Sequence, residues 1–206
     1  MKIIEQSAEI MDKINGEEIL RKIELAGRTC YQSLDKIKLG SAALFVAERI
    51  KDGHKSVLEH VSVTVKLITD RGVLAELTRH RLASYSVEST RYCNYDDGLT
   101  VIRPVWKYGT SDEIKAIWTE SMRDAECAYK ELLNYDLTPQ EARSVLPMST
   151  KTEIVMTANL REWRTIFRQR CDKAAHPQMR NLMLQLLRKI SDKIPVVFVD
   201  LVDMYL

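Results

Sequence analysis

The sequence predicts an α+β fold, a modest mixed sheet with helices packed on it, in a single domain spanning residues 1–206. Three observations lead there. Residues 61–69 alternate Val61, Val63, Val65 and Leu67 with Ser62, Thr64, Lys66 and Ile68, the period of a half-buried strand. Several other segments repeat apolar residues at spacings of three and four, the period of helices that pack by one face. With 206 residues, 45% hydrophobic and 29% charged, the chain suits one soluble core, and no linker, repeat or low-complexity tract divides it.

Taken in order, KIIEQS near the start reads as a short edge strand. EEILRKIELAGRTCYQS sets Ile19, Leu20, Ile23 and Ala26 or Gly27 on one helical face. SAALFVAERIKDG is a second helix, with Ser41 as its cap and Gly53 as its stop. Next, GHKSVLEH crowds Gly53, His54, Ser56, Glu59 and His60 into one turn. Its histidines do not have zinc-pair spacing, and capping accounts for His54, Ser56 and Glu59 on the residues alone. The strand at 61–69 feeds a helix through VLAELTRHR, where Val73, Leu74 and Leu77 share a face and Arg81 falls four residues further on it. STRYCNY and LTVIRP then read as short strands separated by Asp96, Asp97 and Gly98.

Ser111, followed by Asp112 and Glu113, opens a long helix whose stripe of Ile114, Ile117, Trp118, Ser121, Met122, Ala125, Tyr129 and Leu132 is core or subunit packing. Thr138, Pro139 and Glu141 form a capping box for a short helix that carries Arg143 into VLP. Thr152, Ile154, Val155 and Met156 suit a strand, after which Asn159 and Glu162 cap a helix with Trp163, Ile166, Phe167 and Arg170 on one face. The final helix follows Pro177, with His176 as a cap. It buries Met179, Leu182, Met183, Leu186, Leu187 and Ile190, and Pro195 ends it.

The net charge of +2 is unevenly spread: residues 161–193 hold nine Lys or Arg against three Asp or Glu, leaving the rest of the chain net acidic. Solvated helix faces explain such a basic third, and so does attraction of anionic ligands. Cys30, Cys93, Cys127 and Cys171 lack metal-ligand spacing and point to reduced thiols in a cytoplasm, with burial as small hydrophobes the ordinary expectation for Cys30, Cys93 and Cys171. The sequence shows neither a signal-peptide pattern nor an apolar run that could span a bilayer. A dense basic tract or a nucleic-acid-binding module is also lacking.

One stretch is too rich in polar chemistry for a structural segment. RHRLASYSVESTRY, residues 79–92, fixes Arg79, His80, Arg81, Ser84, Ser89 and Arg91 within thirteen residues, with Glu88 among them. Guanidinium forks, an imidazole and hydroxyls together can hold phosphates and a heteroaromatic ring. Taken singly, the arginines read as surface charges and His80 as a satisfied core histidine. The spacing RHRxxSxxxxSxR, however, resembles the signature of the flavin-dependent thymidylate synthases at all six fixed positions.

That resemblance implies reductive methylation of dUMP to dTMP, with 5,10-methylenetetrahydrofolate as carbon donor and FAD, reduced by NADPH, as hydride source. It implies a homotetramer with active sites shared between subunits, and no metal, nucleic-acid or membrane partner. By motif match it places His54 and Ser56 of GHKSVLEH beside the flavin, together with Arg79, His80 and Arg81. Asn159 and Arg161 of NLREWRTIFRQR bind FAD, and Thr165 stands where a flavin-contacting Asn or His is common. Glu76, Arg79, Glu88, Ser89, Arg91 and Arg143 orient dUMP, while Arg170 both binds and activates the uracil ring. Ser89 is a phosphate-side donor, since no positioned base would make it a nucleophile. The chain departs from the family pattern at Glu76, where glutamine is common, at Val87, where a polar residue is usual, and at Thr165.

The chemistry agrees with this assignment. No side chain can donate a hydride, so a redox cofactor is required. Uracil C5 becomes a carbon nucleophile only if charge on the ring is stabilised, a role that suits an arginine against the ring. Classical thymidylate synthases use a thiolate instead, for which Cys93 is the local candidate. Two alternatives are a related flavoenzyme acting on another pyrimidine nucleotide or making a hydroxymethyl product, and a non-catalytic nucleotide or RNA binder.

Overall fold

A computed structural model describes residues 1–106 and 109–206. In chain order the elements are β1 (Lys2–Ile4), β2 (Ser7–Ile10), α1 (Gly16–Thr29), α2 (Ser41–Lys51), β3 (Ser62–Asp70), α3 (Arg71–Leu77), β4 (Ala83–Val87), β5 (Thr100–Ile102), α4 (Asp112–Asn134), α5 (Pro139–Ala142), β6 (Lys151–Asn159), α6 (Leu160–Arg170), α7 (Pro177–Ser191) and α8 (Pro195–Tyr205). Short 3-10 turns occupy Leu34–Lys36, Lys55–His60 and Arg143–Val145. The fold is α+β, as the periodicities predict. Its strands form two sheets: four strands in the order β2-β3-β6-β4, and a parallel pair in which Lys2, Ile3 and Ile4 face Thr100, Val101 and Ile102. Among the described residues no helix is long and apolar enough to cross a membrane.

The chain resolves into two compact units, one of Met1–Ser7, Leu67–Arg79 and Ser86–Ile154, the other of Ala8–Lys66, His80–Tyr85 and Val155–Leu206. The first unit is built on the β1–β5 pair and α4. Leu99, Val101 and Met122 form its buried centre, with Ile3, Tyr95, Trp118 and Leu146 packed around them. Only part of the α4 stripe is used there, since Met122 and Tyr129 are buried but Ile117 is 67% exposed.

The second unit owes its core to three helices that follow β6. Asn159 ends the strand and caps α6 in one step, its Oδ1 accepting the Glu162 N–H at 2.8 Å, so the expected cap forms. Trp163, Ile166 and Phe167 are then fully buried. Phe167 stacks on Trp163 and meets Phe198 of α8 edge-on, each at a centroid distance of 5.7 Å. The apolar face of α7 is buried at all six expected positions. Gly27 lets α1 approach α2, because a Cβ there would lie 2.6 Å from the Phe45 ring.

Several local expectations fail for identifiable reasons. α3 ends at Leu77 with Thr78 as its cap, and the next N–H, that of Arg79, closes a tighter turn on the Glu76 carbonyl; Arg81 is therefore off the helix and exposed. STRYCNY is not a strand. The Ser89 carbonyl accepts the N–H groups of Tyr92 and Cys93 and coils the segment into a turn. Ser41 is the first helical residue rather than the cap, and its hydroxyl instead bonds the buried carboxylate of Glu24 at 2.8 Å. Gly53, with φ of +80°, ends the α2 turn as expected. Pro195 does not close the last helix but opens another at its first position, where the absent N–H is no loss.

Replacing Trp163 by Ala removes a fully buried indole and its 3.0 Å hydrogen bond to the Val63 carbonyl. The expected cost is about 3–5 kcal/mol, read from urea denaturation midpoints.

Candidate functional site

The signature residues and their partners fall into two sets, one in each unit. In the second unit, the φ of +80° at Gly53 turns the chain so that His54 starts the 55–60 turn. His54 and Ser56 then line a cavity of about 430 Å³ with Arg161, Lys55, Arg49, Gly27, Cys30 and Tyr31. A neighbouring hollow of about 340 Å³ is lined by Arg81, Ser84 and Asn159, and by Glu59. Glu59 forms an ion pair with Arg161, so one salt bridge joins the walls of both hollows. Asn159 is thus both helix cap and cavity wall. Thr165 lines neither hollow; its hydroxyl donates to the Arg161 carbonyl at 3.2 Å.

This donor set fits an anionic, polyfunctional cofactor. The buried Nε of Arg49 has no hydrogen-bond partner, although its Nη2 donates to Asp52 at 2.9 Å. Lys55 has its pKa lowered, first by burial and then by the guanidinium groups of Arg168 and Arg164. An anion entering the cavity would relieve both. Arg49, Lys55 and Tyr31 are absent from the sequence-based candidates, because nothing local distinguishes them from ordinary helix and turn residues.

His80 behaves differently from the arginines beside it. It is buried, with 6% of its surface exposed, and its Nε2 accepts the Nε–H of Arg170 at 3.0 Å. Its Nδ1 faces Glu162 Oε1 at 3.5 Å, and its carbonyl accepts the Tyr85 hydroxyl at 2.9 Å. Burial and the Arg170 charge push the imidazole pKa down to about 4, so it is neutral at physiological pH. Burial raises the Glu162 carboxyl and, with the Glu162 charge, pushes the Tyr85 phenol up to about 12. Arg170 is half-buried at the end of α6, beside the aromatic face, as its spacing predicts.

In the first unit, Glu88 is held on every side. Its carboxylate accepts from Tyr95 at 2.9 Å and Lys151 at 2.7 Å, its N–H donates to the Glu153 carbonyl, and its own carbonyl accepts from Arg71. The turn that follows is tied to α5 and the Arg143 turn: Arg91 Nε donates to Gln140 at 3.0 Å, and Arg143 donates to the buried Thr90 hydroxyl at 3.3 Å. Ser89 Oγ accepts the Arg91 N–H at 3.2 Å. Ser89, Arg91 and Arg143 are therefore brought together. Arg79 is exposed at the end of its unit, its N–H bonded to the Glu76 carbonyl. Lys151 and Arg71, which fix this turn, carry no sequence signal of that role. Of the cysteines, Cys171 is buried, which pushes its thiol up to about 12, whereas Cys30 is exposed on the cavity wall rather than packed as a small hydrophobe.

The fold recurs in a solved structure. It superposes on the UMP/dUMP methylase PolB from Streptomyces cacaoi, solved with 5-Br dUMP, with a TM-score of 0.81 over 97% of each chain at 22% identity, a likeness of fold. Residues 10–196 match the family of the thymidylate synthase complementing protein. The flavin-dependent thymidylate synthase of Mycolicibacterium vanbaalenii is 39% identical over 198 residues, and that of Mycobacterium avium 35% over 194; each alignment covers 86% of this chain and 78% of the relative. The chain belongs to the flavin-dependent thymidylate synthase family, and is an enzyme of the methyltransferase class.

Acid stability checks the state of His80. Between pH 6.5 and about 4 only the unfolded chain takes up its proton, so this histidine makes stability fall as pH falls through that window. Glu162, with its raised pKa, works in the opposite direction. His80→Gln is expected to lose stability less steeply than the wild type across this range, as read from urea midpoints.

Proposed function

We propose that the chain converts dUMP to dTMP with 5,10-methylenetetrahydrofolate as carbon donor, FAD as bound cofactor and NADPH as reductant. One observation carries the reading: α6 bears Asn159 and Arg161, which line the two hollows at its start, and at its end Arg170, docked on His80 of the signature. Arg49, His54, Lys55, Ser56, Arg81, Asn159 and Arg161 would hold FAD, the cations offsetting its pyrophosphate and the hydroxyl and imidazole groups meeting its polar edges. When bound and reduced, the flavin supplies the hydride that no side chain can.

The other residues act on the nucleotide. Arg79, Arg91 and Arg143 present fixed guanidinium donors for dUMP, and Ser89 presents a hydroxyl to its phosphate. Arg170 stabilises negative charge developing on the uracil ring, which makes C5 nucleophilic without an attacking thiol. Glu76 joins the nucleotide set by motif position. The four protein contacts of Glu88 assign it to holding the 89–93 turn as much as to touching the substrate. Thr165, its hydroxyl turned to its own helix, contributes at most through its methyl group. Residues 1–206 act as one functional domain in a cytoplasmic homotetramer with shared sites. Exposed apolar side chains such as Leu39, 93% accessible, suit burial in such an assembly.

The purified protein is expected to carry flavin absorbance, or to gain it with FAD, to bleach with NADPH under nitrogen, and to form dTMP from dUMP and methylenetetrahydrofolate. A colourless protein that takes up no flavin would overturn the assignment. Because the solved PolB is a UMP/dUMP methylase, UMP belongs in the same assay beside dCMP. Arg170→Ala is expected to lower turnover by about 10²–10³-fold while flavin stays bound. Cys93→Ala is expected to turn over normally; the reverse pattern assigns the chemistry to the thiol.

A further inference from the structure

We propose that His80 and Glu162 are positioning residues for Arg170: a neutral imidazole, its proton held at Nδ1 toward Glu162, accepts the Arg170 Nε–H and fixes the plane of the guanidinium. The proposal rests on the reading of Arg170 as the group that stabilises charge on the uracil ring. A guanidinium only donates, so the atom it meets, His80 Nε2 at 3.0 Å, must carry a lone pair. In a neutral ring the proton is then on Nδ1, and the atom facing Nδ1 is Glu162 Oε1 at 3.5 Å. Glu162 is itself fixed, as its N–H is the one that caps onto Asn159 at 2.8 Å.

The backbone under the ring is held as well, because the Tyr85 hydroxyl donates to the His80 carbonyl at 2.9 Å. The Nε2 and the carbonyl of His80 are thus hydrogen-bonded, Nδ1 faces a carboxylate oxygen at 3.5 Å, and the ring is 6% exposed. A protonated ring would lose its acceptor and repel Arg170; burial and the arginine's own charge prevent that, holding the pKa near 4. The gain is in ordering. A long arginine at the last residue of a helix samples many rotamers, and anchoring its Nε on folding spares that ordering during turnover. His80 therefore acts through Arg170, in contrast to Arg81 of the same signature, which lines a hollow.

The test is a double-mutant cycle on the FAD-loaded enzyme, reading kcat, the KM for dUMP, flavin content and anaerobic bleaching by NADPH. His80→Ala is expected to lower kcat by roughly ten- to a hundredfold, with flavin content, NADPH bleaching and KM little changed. His80→Gln, which offers an amide oxygen where Nε2 stands, is expected to recover most of the loss. Glu162→Gln, still an acceptor for Nδ1–H, is expected to stay near wild type, while Glu162→Leu falls with His80→Ala. His80→Ala combined with Arg170→Ala is expected to be no slower than Arg170→Ala alone. Losses that multiply, or flavin lost with His80→Ala, would overturn the proposal while leaving Arg170 as the charge-stabilising group. Normal turnover of Arg170→Ala removes that assignment and this inference with it. If His80→Ala does not fold, Glu162→Leu with and without Arg170→Ala gives the same cycle.

Discussion

The junction at Asn159 sets where the cations of α6 stand. No loop separates β6 from α6; the last strand residue is the helix cap, and the next N–H, that of Leu160, donates to the Val61 carbonyl at 2.9 Å. Trp163 Nε1 adds a second tie to β3 at the Val63 carbonyl. Two fixed points leave a helix little freedom to turn about its axis. Once Trp163, Ile166 and Phe167 face inward, a step of about 100° per residue determines the rest. Arg161 leaves the first turn toward one hollow, and Arg170, three residues after Phe167, reaches His80. A cap and an indole hydrogen bond thus aim groups at both ends of the helix.

The arginines of α6 show how burial decides between structure and function. Arg164 is 3% exposed and donates both Nη groups to the Asp200 carboxylate, with a further bond to the Val197 carbonyl. Asp200 is 42% exposed, but the guanidinium is sealed, so losing the carboxylate would strand a buried charge and the arrangement is permanent. Arg161 also has a carboxylate partner, Glu59, but both side chains are about half exposed. Exposed pairs contribute about 0–1 kcal/mol, which an incoming phosphate can replace. A salt bridge of that kind keeps a cation oriented in the empty protein and releases it to an anionic ligand. The Glu88 network of the first unit is of the permanent type, with Lys151 19% exposed and Glu88 15%. It ties the segment before Ser89 to the start of β6.

Much of the local structure was legible in the sequence. The alternation of residues 61–69, the capping box at Thr138 and the Asn159 cap with its buried face all follow from spacing alone, and all are present. The thirteen-residue signature pointed to the family to which the chain belongs. It did not reveal the partners. His80 meets a residue 90 positions away, Trp163 one 100 away and Glu88 one 63 away. Such pairings depend on how elements dock, which periodicity does not encode. Two local errors have a different origin. Pro195 was open to two meanings, because proline stops a helix it follows and starts one it leads. Thr78 reads as one more helical residue, yet it caps α3, and the next N–H, that of Arg79, already turns to the Glu76 carbonyl.

That early stop explains the signature itself. Had α3 continued through Arg81, the residue would have lain above Leu77 on a buried face, a position where a guanidinium needs an anion of its own. Ending the helix at Leu77 releases Arg79, His80 and Arg81 into an irregular segment where successive side chains can diverge. Arg79 and Arg81 are exposed while His80, between them, is buried against Arg170. A strand would alternate in the same way, but here the segment lies outside the strands, and its middle backbone carbonyl is held instead by the hydroxyl of Tyr85 in β4. The triplet is therefore two cations offered outward around one neutral acceptor turned inward.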